Sequence, residues 1–149
     1  MTKMLVFDMD GTIANLYGVE NWLNDLQNEK TRPYEEAEPL YNMEELKEIL
    51  NRLRSLGWLV CVTTWLAKEA TKEYNKTVTE AKKAWLAKYD FPYDEIHCVK
   101  YGTTKANCTR HKADFQILFD DNKKVRDGWT LGTTVNANYD ITKFLKALM

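Results

Sequence analysis

Only three cysteines, Cys61, Cys98 and Cys108, occur in the 149 residues. An odd number without paired spacing argues against a disulfide framework or a zinc site. Neither sign of charge dominates: 21 Lys and Arg face 22 Asp and Glu, for a net charge of −1. That balance gives no broad nucleic-acid footprint and no polybasic membrane patch. No apolar run approaches the roughly 20 residues that a membrane-spanning helix needs. The N-terminus, Met1-Thr2-Lys3, reaches a charge too early for a secretory leader, so a cytoplasmic setting is expected. The Asn-x-Thr matches at Asn75 and Asn107 are then chance. Repeats, low-complexity tracts and Gly-, Pro- or Ser-rich linkers are missing too. A single domain over residues 1–149 is expected, long enough to bury a core without disulfides or metals.

What is there is an alternation of short apolar runs and helical stretches. Met4 to Phe7 is a continuous apolar run that ends in acid, the pattern of a buried strand. Asn42 to Leu56 predicts a helix, with Met43, Leu46, Ile49, Leu50, Leu53 and Leu56 on one face. Asn42 can cap it, Glu45 completes a capping box, and Gly57 can end it. Trp58 to Val62 reads as a second strand. Ala67 to Tyr89 reads as a long helical stretch broken near Thr77. Its stripe is Ala67, Ala70, Tyr74, Val78, Ala81, Trp85 and Tyr89. Glu95–Val99, Phe115–Phe119 and Thr133–Val135 predict three more strands, and Ile141–Leu148 a closing helix. Strands alternating with helices imply an α/β protein with a mostly parallel five-stranded sheet, covered on both faces. In such sheets ligands bind beyond the carboxyl ends of the strands.

The residues at those ends form a consistent set. Asp8-Met9-Asp10-Gly11-Thr12 follows the first strand, Thr63-Thr64 the second, Lys100 and then Lys105 the third, and Asp120-Asp121 the fourth. Gly11 permits a sharp turn that lets Asp8 and Asp10 converge. Acid, hydroxyl, cation and acid suit phosphoryl transfer. A Mg²⁺ held by carboxylates offsets the repulsion between acid and phosphate. A hydroxyl and a lysine can bind the remaining phosphoryl oxygens. A free carboxylate can attack phosphorus, and a second can serve as general acid and then base.

Asp8-Met9-Asp10-Gly11-Thr12 resembles motif I of the haloacid dehalogenase superfamily of phosphohydrolases. Thr63 resembles its motif II, Lys105 its motif III, and the apolar strand ending in Asp120-Asp121 its motif IV. The order agrees, and the resemblance spans almost the whole chain. It implies a Rossmann-like three-layer α/β/α core and an aspartyl-phosphate mechanism with Mg²⁺. It makes Asp8 nucleophile and metal ligand. It makes Asp10 general acid/base and a metal ligand through its backbone carbonyl. It places Asp120 and Asp121 at the metal, without distinguishing which ligates directly. The acid at position 10 favours the phosphatase branch over the dehalogenase branch. The stretch Ala113-Asp114-Phe115 to Asp121 is similar in style to the deoxyribonucleotidases of this superfamily.

Other readings of the same residues fit less well. A calcium loop starting at Asp8 needs glycine where Ile13 stands and glutamate where Val19 stands. A response-regulator receiver carries its paired acids after the first strand, whereas here the adjacent pair comes after the fourth. Thr63, following the apolar run directly, is preferred over Thr64 for phosphate contact. Lys105, which can open a helix, is preferred over Lys100. Trp22, Tyr34 and Trp65 are candidates to stack on an aromatic part of a substrate, Trp65 being best placed. His97 and His111 have no partner at metal-ligand spacing and read as structural.

Residues 13–41 lie between the first strand end and the first core helix, too few for an independent lid domain. They predict a flap or minimal cap with a short helix through Val19, Trp22, Leu23 and Leu26. The expected function is Mg²⁺-dependent hydrolysis of a phosphomonoester, a nucleotide or another small phosphate. A nucleic-acid end phosphatase and a non-catalytic phosphate-binding or signalling domain are the alternatives; the neutral charge disfavours nucleic acid. No membrane partner is expected.

Overall fold

A computed structural model describes residues 1–149. The central sheet has five strands: β1 (Lys3–Phe7), β4 (Trp58–Trp65), β5 (Glu95–Val99), β6 (Phe115–Asp120) and β7 (Gly132–Asn136). Their order is β5-β4-β1-β6-β7, and every neighbouring pair is parallel. Two short strands, β2 (Ala14–Asn15) and β3 (Glu38–Pro39), pair antiparallel outside it. The helices are α1 (Trp22–Gln27), α2 (Arg32–Glu36), α3 (Met43–Ser55), α4 (Lys72–Lys88), α5 (Ala106–Thr109), α6 (Lys123–Asp127) and α7 (Ile141–Ala147). None is long and apolar enough to cross a membrane.

Side chains of β1 alternate between two cores, as a period of two requires. Leu5 and Phe7 join the larger core with Leu46, Leu50 and Leu53 of α3 and Ile141 and Leu145 of α7. Met4 and Val6 face the other side with Cys61, Ala106, Leu118 and Trp129. Phe7 stacks on Phe119, with ring centroids 4.7 Å apart. The result is the three-layer α/β/α, Rossmann-like arrangement expected from the alternation, with β1 at the centre of the sheet.

Four local expectations shift. The second strand runs past Val62 to Trp65, because Thr63, Thr64 and Trp65 find partners in His97, Cys98 and Val99. The long helix starts at Lys72, not Ala67. Thr71 caps it, its Oγ1 accepting from Tyr74 N at 3.1 Å, and Asn75 Oδ1 accepts from Ala67 N at 3.0 Å in the preceding loop. The helix is unbroken at Thr77, whose hydroxyl donates to Tyr74 O at 2.6 Å. The capping box of α3 is half formed. Asn42 Oδ1 accepts from Glu45 N at 3.1 Å, but the Glu45 carboxylate pairs with Lys146 of α7 at 2.8 Å.

Residues 13–41 are docked on α4. Tyr74 Oη donates to Lys30 O at 2.6 Å, and Trp85 Nε1 donates to Ala37 O at 2.8 Å. Glu29 accepts from Thr71 N and Thr71 Oγ1 at 2.9 and 2.8 Å. A third apolar cluster, including Leu16, Tyr34, Tyr74 and Val78, seals this seam. Within the insert, Arg32 ties the buried Asp25 at 2.7 Å to the Glu20 carbonyl at 2.6 Å. The insert thus forms a fixed wall beside the strand ends.

Candidate active site

The turn after β1 is shaped by one carbonyl and one glycine. The amides of Thr12, Ile13 and Ala14 all donate to Met9 O, and Gly11 sits at φ +82°. A side chain at Gly11 would collide with the Asp121 carboxylate and the Tyr17 ring. Glycine is therefore required both for backbone conformation and for the approach of Asp121.

This turn brings Asp8 against the end of β6. Asp8 Oδ1 accepts from Lys105 Nζ at 2.8 Å, and Asp8 Oδ2 accepts from Thr12 Oγ1 at 2.9 Å. The same ammonium donates to Asp120 Oδ2 at 2.8 Å. Asp120, the last residue of β6, also accepts from Asn122 N at 2.9 Å. The Thr12 hydroxyl lies 3.3 Å from Asp121 Oδ1. Lys105 is 3% exposed, so its charge acts with little solvent screening. The ring of Trp65 lies over it at 5.5 Å.

The electrostatics show a surplus of acid. Burial opposes the Asp8 carboxylate, but the Lys105 charge and hydrogen bonds from Asp121, Lys105 and Thr12 hold its pKa below the usual range. Asp120 is pushed up to about 6 by burial and by the Asp8 charge, against the pull of Lys105. Asp121 is pushed up to about 8 by burial, its hydrogen bond with Asp8 and the charges of Asp8 and Asp120. Burial lowers the Lys105 affinity for its proton, yet Asp8 and Asp120 outweigh this and raise it. One ammonium does not neutralise three carboxylates. Oxygens of Asp8, Asp120 and Asp121 lie within 4.8 Å of one another, a hard, oxygen-only set suited to Mg²⁺. The residues present fit such an ion.

Asp10 is turned differently. Its Oδ2 accepts from Lys82 Nζ at 2.8 Å, a lysine midway along α4 whose side chain is fully buried. Burial raises the Asp10 pKa despite that neighbour. Lys82 also donates to Thr64 Oγ1 at 2.6 Å and to Trp65 O at 2.9 Å. Lys82 is not among the residues expected at the site from the sequence. The signal was present: Lys82 falls four residues after Val78 and three before Trp85, on the apolar stripe of the helix.

Thr63 is buried in β4 with its Oγ1 3.4 Å from Cys61 Sγ. Thr64 is buried with its hydroxyl toward Lys82. Lys100 is exposed, and Lys105 is the lysine that pairs with Asp8 and Asp120. Asp8, Asp10, Lys105, Asp120 and Asp121 line one cavity of about 740 Å³. Trp22, Tyr34 and Trp65 line it too, with Tyr17 and Tyr101 beside them. Tyr17 meets Trp22 edge-on at 4.9 Å, and Trp65 packs on Tyr101 at 4.8 Å. Trp65 Nε1 donates to Thr103 O at 2.8 Å, which fixes the ring. Tyr34 is almost wholly buried beneath this wall. His97 gains neighbours on its own strand and on the next. Its Nε2 lies 3.0 Å from Glu95 Oε1, and Cys61 stands close by on the adjacent strand.

No protein-family model and no curated protein matches the chain. Solved structures do. A D,D-heptose 1,7-bisphosphate phosphatase from Burkholderia Thailandensis aligns over 99% of this chain and 98% of its own, with TM-score 0.57 and 14% identity. A D,D-heptose 1,7-bisphosphate phosphatase from B. bronchiseptica, complexed with magnesium and phosphate, aligns over 95% of this chain and 87% of its own, with TM-score 0.55 and 12% identity. At these identities the likeness is one of fold, and this chain shares the fold of those phosphatases.

Proposed function

We propose that this chain is a Mg²⁺-dependent phosphomonoester hydrolase that works through an aspartyl phosphate on Asp8. The observation that carries the reading is the junction of Asp8, Lys105 and Asp120: one buried ammonium 2.8 Å from both carboxylates, at the ends of adjacent strands. Lys105 keeps Asp8 ionised, as a nucleophile must be. Asp8, Asp120 and Asp121 would hold Mg²⁺. The ion, when bound, supplies positive charge to the phosphoryl oxygens and to the crowded acids.

In the first step an Asp8 oxygen forms a bond to phosphorus, the ester P–O bond breaks, and the leaving oxygen takes a proton from Asp10. In the second, Asp10 takes a proton from water as that water attacks phosphorus. The bond from Asp8 to phosphorus breaks, releasing inorganic phosphate and restoring both carboxyls. Lys105 is the first candidate for phosphoryl oxygens. Of the two threonines, Thr63 is favoured for phosphate contact. Turning its hydroxyl inward gives up only a weak contact with Cys61, whereas Thr64 would give up a bond from a charged donor.

The cavity's size and its Trp22, Trp65 and Tyr17 walls favour a substrate with a flat apolar portion, such as a nucleoside monophosphate, over a bare sugar phosphate. The test is phosphate release from nucleotides, sugar phosphates and phosphorylated oligonucleotides, with Mg²⁺ and with chelator. Turnover of at least one class is expected with Mg²⁺ only, and none is expected from Asp8→Asn. Activity of Asp8→Asn above a tenth of wild type would remove the covalent mechanism.

A further inference from the structure

We propose that Lys82 is a positioning residue for Asp10, fixing the acid/base carboxyl to the end of β4. The inference rests on the reading of Asp8 and Asp10 given above, and it concerns a residue that touches no substrate. An ammonium has three hydrogens. All three are used: Asp10 Oδ2 at 2.8 Å, Thr64 Oγ1 at 2.6 Å and Trp65 O at 2.9 Å. With no donor left over and no exposed side-chain surface, Lys82 has nothing to offer a phosphate directly.

Packing does not call for a charge there. The neighbours of Lys82 on the buried face of α4 are Val78, Ala81, Trp85 and Leu86. A buried lysine is costly unless its charge is paired, and an apolar residue would fill the same space more cheaply. What the lysine adds is a specific restraint. It takes one oxygen of Asp10 and leaves the other, Oδ1, with no hydrogen bond from the protein, on a residue that lines the cavity. Its other two bonds fix that carboxyl relative to Thr64 and to the Trp65 backbone, whose ring covers Lys105. Tyr34 of the insert lies with its ring 5.2 Å from the same ammonium, which limits its freedom to move. Lys82 therefore holds the proton-carrying group in register with the nucleophile through both steps.

The effect should follow the steps that need a proton moved. Formation of the Asp8–phosphorus bond needs little protonation when the leaving group is nitrophenolate, and much when it is an alkoxide. Breakdown needs water activated in either case. The experiment compares wild type, Lys82→Met, Asp10→Asn and the double variant on nitrophenyl phosphate and on glycerol phosphate, in Mg²⁺, by rapid mixing and steady state. In Lys82→Met the nitrophenol burst should keep its rate within about threefold, while the steady rate falls at least about tenfold, part of the roughly 10²–10⁴ that acid/base help supplies. Glycerol phosphate turnover should fall further, and KM for both should move less than about threefold. The double variant should be no slower than Asp10→Asn alone, because the two act as one unit.

Equal losses in burst and alkyl ester, a loss confined to KM, or multiplying effects in the double variant would each overturn the assignment. Lys82→Gln, which keeps a donor, is the second variant if Lys82→Met does not fold. Its burst should match wild type, with a smaller loss in the steady rate. Failure of both variants to fold would show the lysine to be structural and would also overturn the assignment. Failure of the underlying reading looks different: Asp8→Asn would keep its turnover with Lys82 untouched.

Discussion

The ammonium of Lys105 stands 2.8 Å from the carboxylate of Asp8, across 97 positions of sequence. It stands at the same distance from Asp120. Two strand ends that repel each other are thereby joined by one cation. Lys105→Met would leave two buried carboxylates without their partner. Breaking a buried pair in this way costs about 3–5 kcal/mol, so denaturant unfolding in chelator should show a loss of that order. Turnover should fall by about 10²–10³-fold, as when a charge-stabilising donor is removed. The exposed Lys100→Met should change neither.

Asp121→Asn should stabilise the metal-free protein while abolishing its response to Mg²⁺. The Asp121 carboxyl is pushed up to about 8 from an ordinary 3.8, chiefly by burial and then by Asp8 and Asp120. Between those values the folded chain holds a proton that the unfolded chain has lost. Stability therefore falls as pH rises through that window. Asparagine carries no such charge, so the gain should be small near pH 4, full above pH 8, and of the order of 0.5–2 kcal/mol. Thermal melts in chelator across pH test this. A variant less stable than wild type at pH 9 would refute the crowding argument.

Trp22→Ala should separate substrate classes. Trp22 lies on the insert, bonds to none of the carboxylates, and meets Tyr17 edge-on in the cavity wall. If a flat group rests there, KM for a nucleoside monophosphate should rise about fivefold or more, since stacking is worth about 1–3 kcal/mol per base. KM for glycerol phosphate should hardly move. Equal changes in both would mean that Trp22 only supports the wall.

Gly11→Ala should damage the site beyond its effect on the turn. The left-handed conformation alone costs an L residue about 1–2 kcal/mol. The added methyl also meets the carboxylate of Asp121, one of the three acids proposed to hold Mg²⁺. Calorimetric titration of Mg²⁺ should show weaker binding alongside the lower melting temperature. A variant that melts lower but binds Mg²⁺ as tightly as wild type would limit Gly11 to a backbone role.

The sequence by itself determined the local pieces. Apolar runs ending in acid mark β1 and β6, because a buried strand must be apolar on both faces while its end opens to solvent or ligand. Asn42 and Gly57 bracket α3 through bonds and backbone angles that reach only a few residues. The placing of Asp8, Asp10, Asp120 and Asp121 at or just past strand ends follows from the same local patterns. Tertiary structure decided everything that depends on a distant partner. Strand β4 continues through Thr63 and Thr64 because β5 offers a ladder, and this turns their hydroxyls toward Cys61 and Lys82. The insert docks because α4 and its cap supply the donors and the apolar seam it needs. Lys82 is a buried partner of Asp10 and Lys105 is the shared cation because helix and strand ends converge across 72 and 97 positions. Periodicity reports which face of a helix is buried. It does not report which charge lies opposite, and in a low-dielectric interior that charge fixes the roles of these two lysines.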